Sequence, residues 1–230
     1  MNEKVNITTF DDDIKMYQLV DGFRFSVDPI ILVNFFEGNS KKKLLDIGSG
    51  TGIIPILLAK RKNMQDITGV EIQEDSARLF RKNVEENGLS DRITIVHQDI
   101  KNFDKSNTFD YVISNPPYMV LDGKKISENE NKKISRHEIT LNLEDLIKNA
   151  KRLLKPQGEF FMVHRSFRLP EIIMELEKNK FSLKKIQFVY FNREKNSNLV
   201  LVQASKGKKN KLEIISPLFL EEEKKKKNIY

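Results

Sequence analysis

With 230 residues the chain has room for one α/β domain and at most a small appendage. Lys and Arg number 40 against 33 Asp and Glu, a formal charge of +7 that suits a polyanionic partner without specifying one. The absence of cysteine excludes disulfides, thiolate metal sites and a cysteine nucleophile, the three histidines (His97, His137, His164) are too scattered to suggest a metal site, and no apolar run reaches the roughly 18 residues of a membrane helix.

Residues 1–15 are polar, include Asp11-Asp-Asp13, and are expected to pack loosely over the rest. They hold no signal-peptide h-region, so the cytoplasm is the expected location. Gly22 to Phe36 reads as a turn and a helix, with Asp28 suited to the N-cap and Pro29 to the first helical position. Lys43-Leu-Leu-Asp-Ile-Gly-Ser-Gly-Thr-Gly-Ile-Ile-Pro55 reads as a buried strand, a glycine turn and an apolar helix. Asp46 falls near the strand's carboxyl end, and Gly48, Gly50 and Gly52 alternate around Thr51 in the turn. Such glycines permit positive φ and the close approach of a ligand to the main chain. The dinucleotide fingerprint is not met, because Ile53 stands where its third glycine belongs, and there is no Gly-Lys-Ser/Thr for a triphosphate.

Ile67 to Glu71 is a second buried strand that ends in a carboxylate about 20 residues beyond the turn, where a carboxylate can accept both hydroxyls of a ribose. Val70 and Ile72 flank it with apolar surface. A helix follows from Glu74 to Gly88, its acidic first turn favourable and Gly88 placed to end it. Asn83 and Asn87 look routine there, and no chemistry is attached to them. Arg92 to His97 is a third strand, His97 reading as structural, and it runs into Asp99-Ile100. Phe109 to Ser114 is a fourth, and Asn115-Pro116-Pro117-Tyr118 stands at its carboxyl end.

Residues 119–140 are polar and of mixed charge, a length at which functional loops are often lids. They contain Lys132-Lys133 and Ser135-Arg136-His137-Glu138. Beyond them a helix is expected over Leu143–Leu154, a turn at Lys155–Gly158, a strand over Glu159–His164, a helix over Glu171–Asn179 and a final strand pair over Leu183–Phe191 and Asn198–Ser205. The basic Lys206–Lys211 stretch suits either an RNA backbone or simple solubility. Glu221–Tyr230 is a charge block expected to fray. The expected layout is one domain over 1–220, its first 40 residues forming a cover, with a charged tail over 221–230.

Asp46-x-Gly48-x-Gly50-x-Gly52 resembles motif I of class I S-adenosylmethionine (SAM) methyltransferases. The resemblance implies that Gly48, Gly50, Thr51 and Gly52 accommodate the methionine part of SAM and that Asp46 orders the site around its amino group. It implies that Glu71 takes the ribose beside Ile72, and that Asp99 and Ile100 take the adenine. The segment Arg24-Phe25-Ser26-Val27-Asp28 resembles one that closes over SAM in RNA N6-adenine methyltransferases, which leaves Asp28 as a lining residue, a helix cap, or both. Asn115-Pro116-Pro117-Tyr118 resembles motif IV of enzymes that methylate adenine N6, cytosine N4, guanine N2 or a glutamine amide. Such an amine is a poor nucleophile because its lone pair is delocalised. The Asn115 side-chain oxygen and the Pro116 carbonyl can each accept one N–H and favour a pyramidal nitrogen, while Tyr118 offers a stacking face for an extruded base. Asn115 thus faces both donor and acceptor. Transfer by in-line displacement needs positioning and no metal.

Nearly the whole chain is similar to the bacterial tRNA1(Val) adenine-N6-methyltransferase family. The implied fold is a Rossmann-like α/β domain: a seven-stranded, mostly parallel sheet with helices on both faces and an antiparallel last strand. The implied partner is RNA, with tRNA favoured, met by Arg136, Lys132, Lys133 and Tyr118. No membrane or metal is expected, and the expected state is a monomer. Guanine N2 of rRNA, adenine of DNA and a protein glutamine remain alternative acceptors, and a non-catalytic SAM- and RNA-binding factor is the alternative of a different class. The short leader before Gly22 leaves no room for the N-terminal helical domain usual in release-factor enzymes.

Overall fold

The computed structural model describes residues 5–10, 13–19, 27–117 and 141–225. Its first elements depart from the expected loose cover. Strand β1 (Val5–Thr9) pairs antiparallel with β2 (Lys15–Leu19), Val5 opposite Leu19 and Thr9 opposite Lys15. The β1 side chains are exposed, whereas Ile14 and Met16 on the returning limb are fully buried. A few inward apolar residues among polar neighbours are enough to dock a strand, and they leave little trace in composition.

Helix α1 (Asp28–Phe35) begins one residue earlier than expected. Val27 has helical dihedrals and its carbonyl accepts from the Ile30 and Ile31 amides at 3.0 and 3.1 Å, so Val27 is the N-cap and Asp28 the first helical residue. The Asp28 carboxylate still lies in the first turn, where the helix dipole favours it.

The remaining elements alternate as their hydrophobic periods require: β3 (Lys43–Ile47), α2 (Ile53–Arg61), β4 (Asp66–Glu71), α3 (Glu74–Glu86), β5 (Ile93–His97), a 3₁₀ turn (Ile100–Asn102) and β6 (Phe109–Ser114). Helix α3 ends as Gly88 predicts. At φ 65° Gly88 donates to the Glu85 carbonyl, and Leu89 donates to that of Val84, a Schellman closure. After residue 140 come α4 (Leu143–Leu153), β7 (Leu154–Arg165), a 3₁₀ turn (Ser166–Arg168), α5 (Leu169–Lys178), β8 (Phe181–Tyr190) and β9 (Leu199–Lys206). The turn expected at Lys155–Gly158 is a bulge inside β7: Phe109 faces Leu154 while Tyr111 faces Glu159, and Gln157 takes φ 64°.

Seven strands lie in the order β8-β9-β7-β6-β3-β4-β5, with β3 to β7 parallel and β9 antiparallel to both β7 and β8. Two short strands, β10 (Glu213–Ile214) and β11 (Leu218–Phe219), add to the free edge of β8 and bring the sheet to nine among the described residues. Where fraying is expected, Leu220–Lys225 forms helix α6, and Glu222 accepts from Arg193 at 2.7 Å.

Both faces of the sheet are covered. Leu44, Tyr111, Ile113, Phe161 and Val163 point into a core shared with α1, α2 and α3, and Leu45, Ile47, Val112, Phe160 and Met162 into a core shared with α4 and α5. That one-residue alternation is the period of a strand buried on both sides. The strand order reverses at β3, whose neighbours are β4 on one side and β6 on the other. A crevice therefore opens beyond their carboxyl ends.

Candidate functional site

Three expected site segments converge at this crevice. The glycine turn leaves β3 hooked onto β4, with Gly48 and Ser49 both donating to the Val70 carbonyl at 2.9 and 3.2 Å. Gly48 (φ 74°), Gly50 (φ 55°) and Gly52 (φ 89°) all lie in the left-handed region. They serve different ends. A Cβ on Gly48 or Gly50 would meet nothing within 4 Å, so their backbone borders open space that a ligand can enter. A Cβ on Gly52 would sit 2.0 Å from the Phe80 ring, and one on Gly69 2.3 Å from it. Gly52 and Gly69 therefore seat Phe80 of α3 beneath the turn, and Gly69 is a packing position under the site that the sequence reading missed.

Glu71, at the end of β4, is buried and braces the turn. Its Oε2 accepts from the Gly50 amide and its Oε1 from the Gln73 amide, both at 2.8 Å. Each oxygen keeps a second lone pair for a hydroxyl. Asp46 lies in register with Gly69 on β4 and Ile113 on β6 and is fully buried. Neither of its carboxylate oxygens has a hydrogen-bond partner among the described residues. The nearby Ser49 hydroxyl donates to the Asp46 main-chain oxygen at 3.1 Å. Burial, with the charge of Glu71 adding to it and Ser49 partly offsetting it, pushes the Asp46 carboxyl up to about 7. A buried acceptor pair left without donors calls for an explanation, and a ligand cation or N–H supplies one.

Beyond β5, Asp99 accepts from the Lys101 amide at 2.9 Å and starts the 3₁₀ turn, which buries Ile100. Ile72 is exposed at the end of β4. His97 is structural as expected: its Nε2 lies 3.1 Å from the Ile72 carbonyl, which can only accept, so that nitrogen carries the proton. Arg152 of α4 holds this corner. Its guanidinium donates to the carbonyls of Phe103 at 2.7 Å and Ile100 at 2.9 Å, and Lys101 pairs with Asp145 at 2.7 Å. Nothing in the local pattern around Arg152 marks it, because its partners lie about fifty residues upstream.

At the end of β6 the Ser114 hydroxyl donates to the Ile47 carbonyl at 2.8 Å and pins the start of Asn115-Pro116-Pro117 beside the glycine turn. Asn115 and Pro117 are half-buried and Pro116 is buried. Asp28 is buried at the start of α1, which packs on α2 and β7. Arg24, Phe25, Ser26, Tyr118, Lys132, Lys133 and Arg136, together with His137 and Glu138, lie outside the described residues.

Asn83 and Asn87 are not routine. The Asn83 amide accepts from the Tyr17 N–H at 2.7 Å and donates to the Tyr17 and Thr51 carbonyls at 3.1 and 2.8 Å. The Asn87 amide accepts from the Lys15 N–H at 3.2 Å and donates to the Lys15 carbonyl at 2.8 Å. Two buried amides one helical turn apart thus present a strand-like edge to β2, and Asn83 also fastens the glycine turn. Lys82 adds a cation–π contact, its Nζ 3.7 Å from the Tyr17 ring centroid.

The arrangement suits a ligand with a cationic amine, a vicinal diol and a flat ring, its middle lying against Gly48 and Gly50. Residues 27–189 match the family model for the methyltransferase small domain. The chain belongs to that family. Curated relatives named tRNA1(Val) (adenine(37)-N6)-methyltransferase are similar to this family member. One from Dyadobacter fermentans is 33% identical over 133 residues, 58% of this chain and 55% of that protein. One from Phocaeicola vulgatus is 35% identical over 140 residues, 61% of this chain and 58% of that protein. One from a Flavobacteriaceae bacterium is 27% identical over 186 residues, 81% and 78% of the two chains. The chain thus spans little more than half the length of two of these three relatives.

Among solved structures, a predicted O-methyltransferase, protein Atu636 from Agrobacterium tumefaciens, superposes with TM-score 0.67 at 22% identity, over 84% of this chain and 86% of the other. TYW2 of M. jannaschii, solved in complex with AdoMet, superposes with TM-score 0.62 at 15% identity, over 89% and 86%. These likenesses show the family member's fold. Among the described residues no helix is long and apolar enough to cross a membrane.

Proposed function

We propose that this chain methylates an exocyclic amine of a base in RNA, adenine N6 of a tRNA near the anticodon, with S-adenosylmethionine as methyl donor. The observation that carries the reading is the placement of Asn115-Pro116 beside the glycine turn, held there by the Ser114–Ile47 hydrogen bond. The donor fits the residues present. Asp46 is a buried carboxylate without partners among the described residues, suited to the ligand's amino group. Glu71 has lone pairs left for the ribose hydroxyls, and Ile72, Asp99 and Ile100 border the place for the adenine. When bound, the sulfonium supplies an electrophilic methyl group.

The chain's own residues then supply position. The Asn115 oxygen and the Pro116 carbonyl accept the two N–H groups of the acceptor amine, and its lone pair is freed towards the methyl. As the new N–C bond forms, the donor's S–CH3 bond would break to leave a neutral thioether, and the amine proton is lost to water after transfer, so no strong base is required and most of the acceleration comes from alignment. The tRNA substrate is favoured by the printed names of the curated relatives and by the basic charge of the chain. Tyr118, Arg136, Lys132 and Lys133 are assigned to the substrate on the sequence motif alone.

The test is transfer of a labelled methyl group from SAM to unmodified tRNA, rRNA, duplex DNA and protein in parallel, with Asn115→Ala as control and the product nucleoside identified by mass. N6-methyladenosine in tRNA, absent with the variant, supports the proposal. Label in rRNA guanine or in protein keeps the mechanism and replaces the substrate. Intact SAM binding with no transfer to any acceptor favours the non-catalytic reading.

A further inference from the structure

Resting on the RNA substrate proposed above, we infer that Phe167 and Phe191 form a stacking platform for the single-stranded nucleotides that flank the methylated base. In the β6/β7 register Ser114 faces Met162, so the two strands run side by side to the crevice. Strand β6 ends there, and the chain turns into Asn115. Strand β7 continues to Arg165, about 10 Å further along at the usual rise per residue, before turning through Ser166–Arg168. The β8–β9 hairpin reaches the same end of the sheet, because Arg165 pairs with Leu199. The two loops are joined. The Ser166 amide donates to the Asn198 carbonyl at 3.1 Å and the Ser166 hydroxyl to that of Ser197 at 2.6 Å. The hairpin is backed by the C-terminal segment, with the Glu221 main-chain amide donating to the Phe191 carbonyl at 2.9 Å and the Arg193 guanidinium 4.6 Å from the Phe219 ring centroid.

On this braced rim, at the same end of the sheet as the acceptor turn, Phe167 is 65% exposed and Phe191 51% exposed. Large apolar rings held in water at the mouth of a site are an interaction signal. The charges nearby argue for stacking over phosphate binding. Two of the cations on these loops are already engaged, Arg168 by Glu171 and Arg193 by Glu222, and Arg165 and Lys195 are the others. The recognised chemistry is therefore the base face, which every nucleotide offers and which becomes available in a loop whose bases are splayed apart. An enzyme that extrudes its target base unstacks the neighbours of that base, and two exposed rings on the rim at that end of the sheet give those neighbours a new surface.

The test compares Phe167→Ala, Phe167→Leu and Phe167→Tyr, and the same changes at Phe191, by KM for tRNA in methyl transfer, tRNA affinity by anisotropy, and SAM affinity by calorimetry. Loss of one stacked base is expected to raise KM and Kd for tRNA about 10-fold or more in the Ala and Leu variants, with near-parental values for Tyr. SAM affinity stays within about twofold, which also reports intact folding, and the salt dependence of tRNA binding keeps its slope, since no phosphate contact is removed. Unchanged tRNA binding in both Ala variants overturns the inference. So does retention of affinity by Leu, which identifies a merely apolar contact such as a protein partner. If the parent methylates no RNA, the proposed function falls. The platform then stands only if tRNA still binds and the Ala and Leu variants weaken it.

Discussion

Replacing Asp46 with Asn should remove the pH dependence that this carboxyl gives to the stability of the ligand-free protein. Burial raises the group from 3.8 to about 7. Between those values the folded state keeps a proton that the unfolded state has lost, so unfolding free energy falls as pH rises, by about 1.4 kcal/mol per unit, and levels off above 7. Across the window of roughly three units the wild type loses at most about 4 kcal/mol on this account, an order-of-magnitude figure. Asn cannot ionise and escapes the loss. His164 works in the opposite direction. Burial, mainly, lowers it from 6.5 to about 4, so the neutral folded form gains stability as pH rises between those values. The test is therefore the difference between the two proteins, from urea unfolding at pH 4.5, 6 and 8. The variant should gain on the wild type by a few kcal/mol between the first and last points. A constant difference would refute the argument that Asp46 is buried without a compensating partner. The same group should govern donor affinity in the wild type. Binding an amine requires the ionised carboxylate, so SAM affinity should rise about tenfold per unit up to pH 7 and then flatten, whereas Asp46→Asn should bind weakly at every pH.

Three further outcomes are expected. Asn83→Ala removes three hydrogen bonds and leaves part-buried main-chain groups of Tyr17 and Thr51 without them, costing about 2–4 kcal/mol. Hydrogen exchange should show lost protection at the Tyr17 amide, and unchanged protection there would dismiss the clamp. Gly52→Ala drives a Cβ into Phe80 and should destabilise the fold by several kcal/mol, whereas Gly50→Ala, which meets open space, should cost only the left-handed strain of about 1–2 kcal/mol while weakening SAM binding. Equal destabilisation in thermal melts would reject the separate roles given to these glycines. Arg152→Lys cannot bridge the Ile100 and Phe103 carbonyls with one compact ammonium. SAM affinity should fall about three- to tenfold, and the fold should survive. An unaltered affinity would show that the corner holds itself.

Much of this was legible along the chain. The alternation of strands and helices follows from local hydrophobic period, and the motifs stand at strand ends because glycine and proline punctuate those periods. Gly88 announced the end of α3 for the same local reason. The N-terminal hairpin stayed hidden because Ile14 and Met16 are too few to make a pattern, and β10 and β11 because two-residue strands have no period. The helix start was misplaced by one residue because Val27, a poor cap by residue type, takes the cap position through its main-chain carbonyl alone.

By itself, then, the sequence determined which faces are apolar, where the turns fall, and that Asp46, Glu71, Asp99 and Asn115 each stand at or near the carboxyl end of a strand. Only the tertiary structure decided what those residues meet. Asp46 is buried and short of donors because β4 and β6 both pair with β3, a strand order that no single segment encodes. Glu71 spends one bond on the amide of Gly50, and Asn83 and Arg152 satisfy backbone groups of distant segments. Backbone donors and acceptors are the same at every residue, so a side chain that serves a remote one leaves no local signature, and folding alone brings the two together.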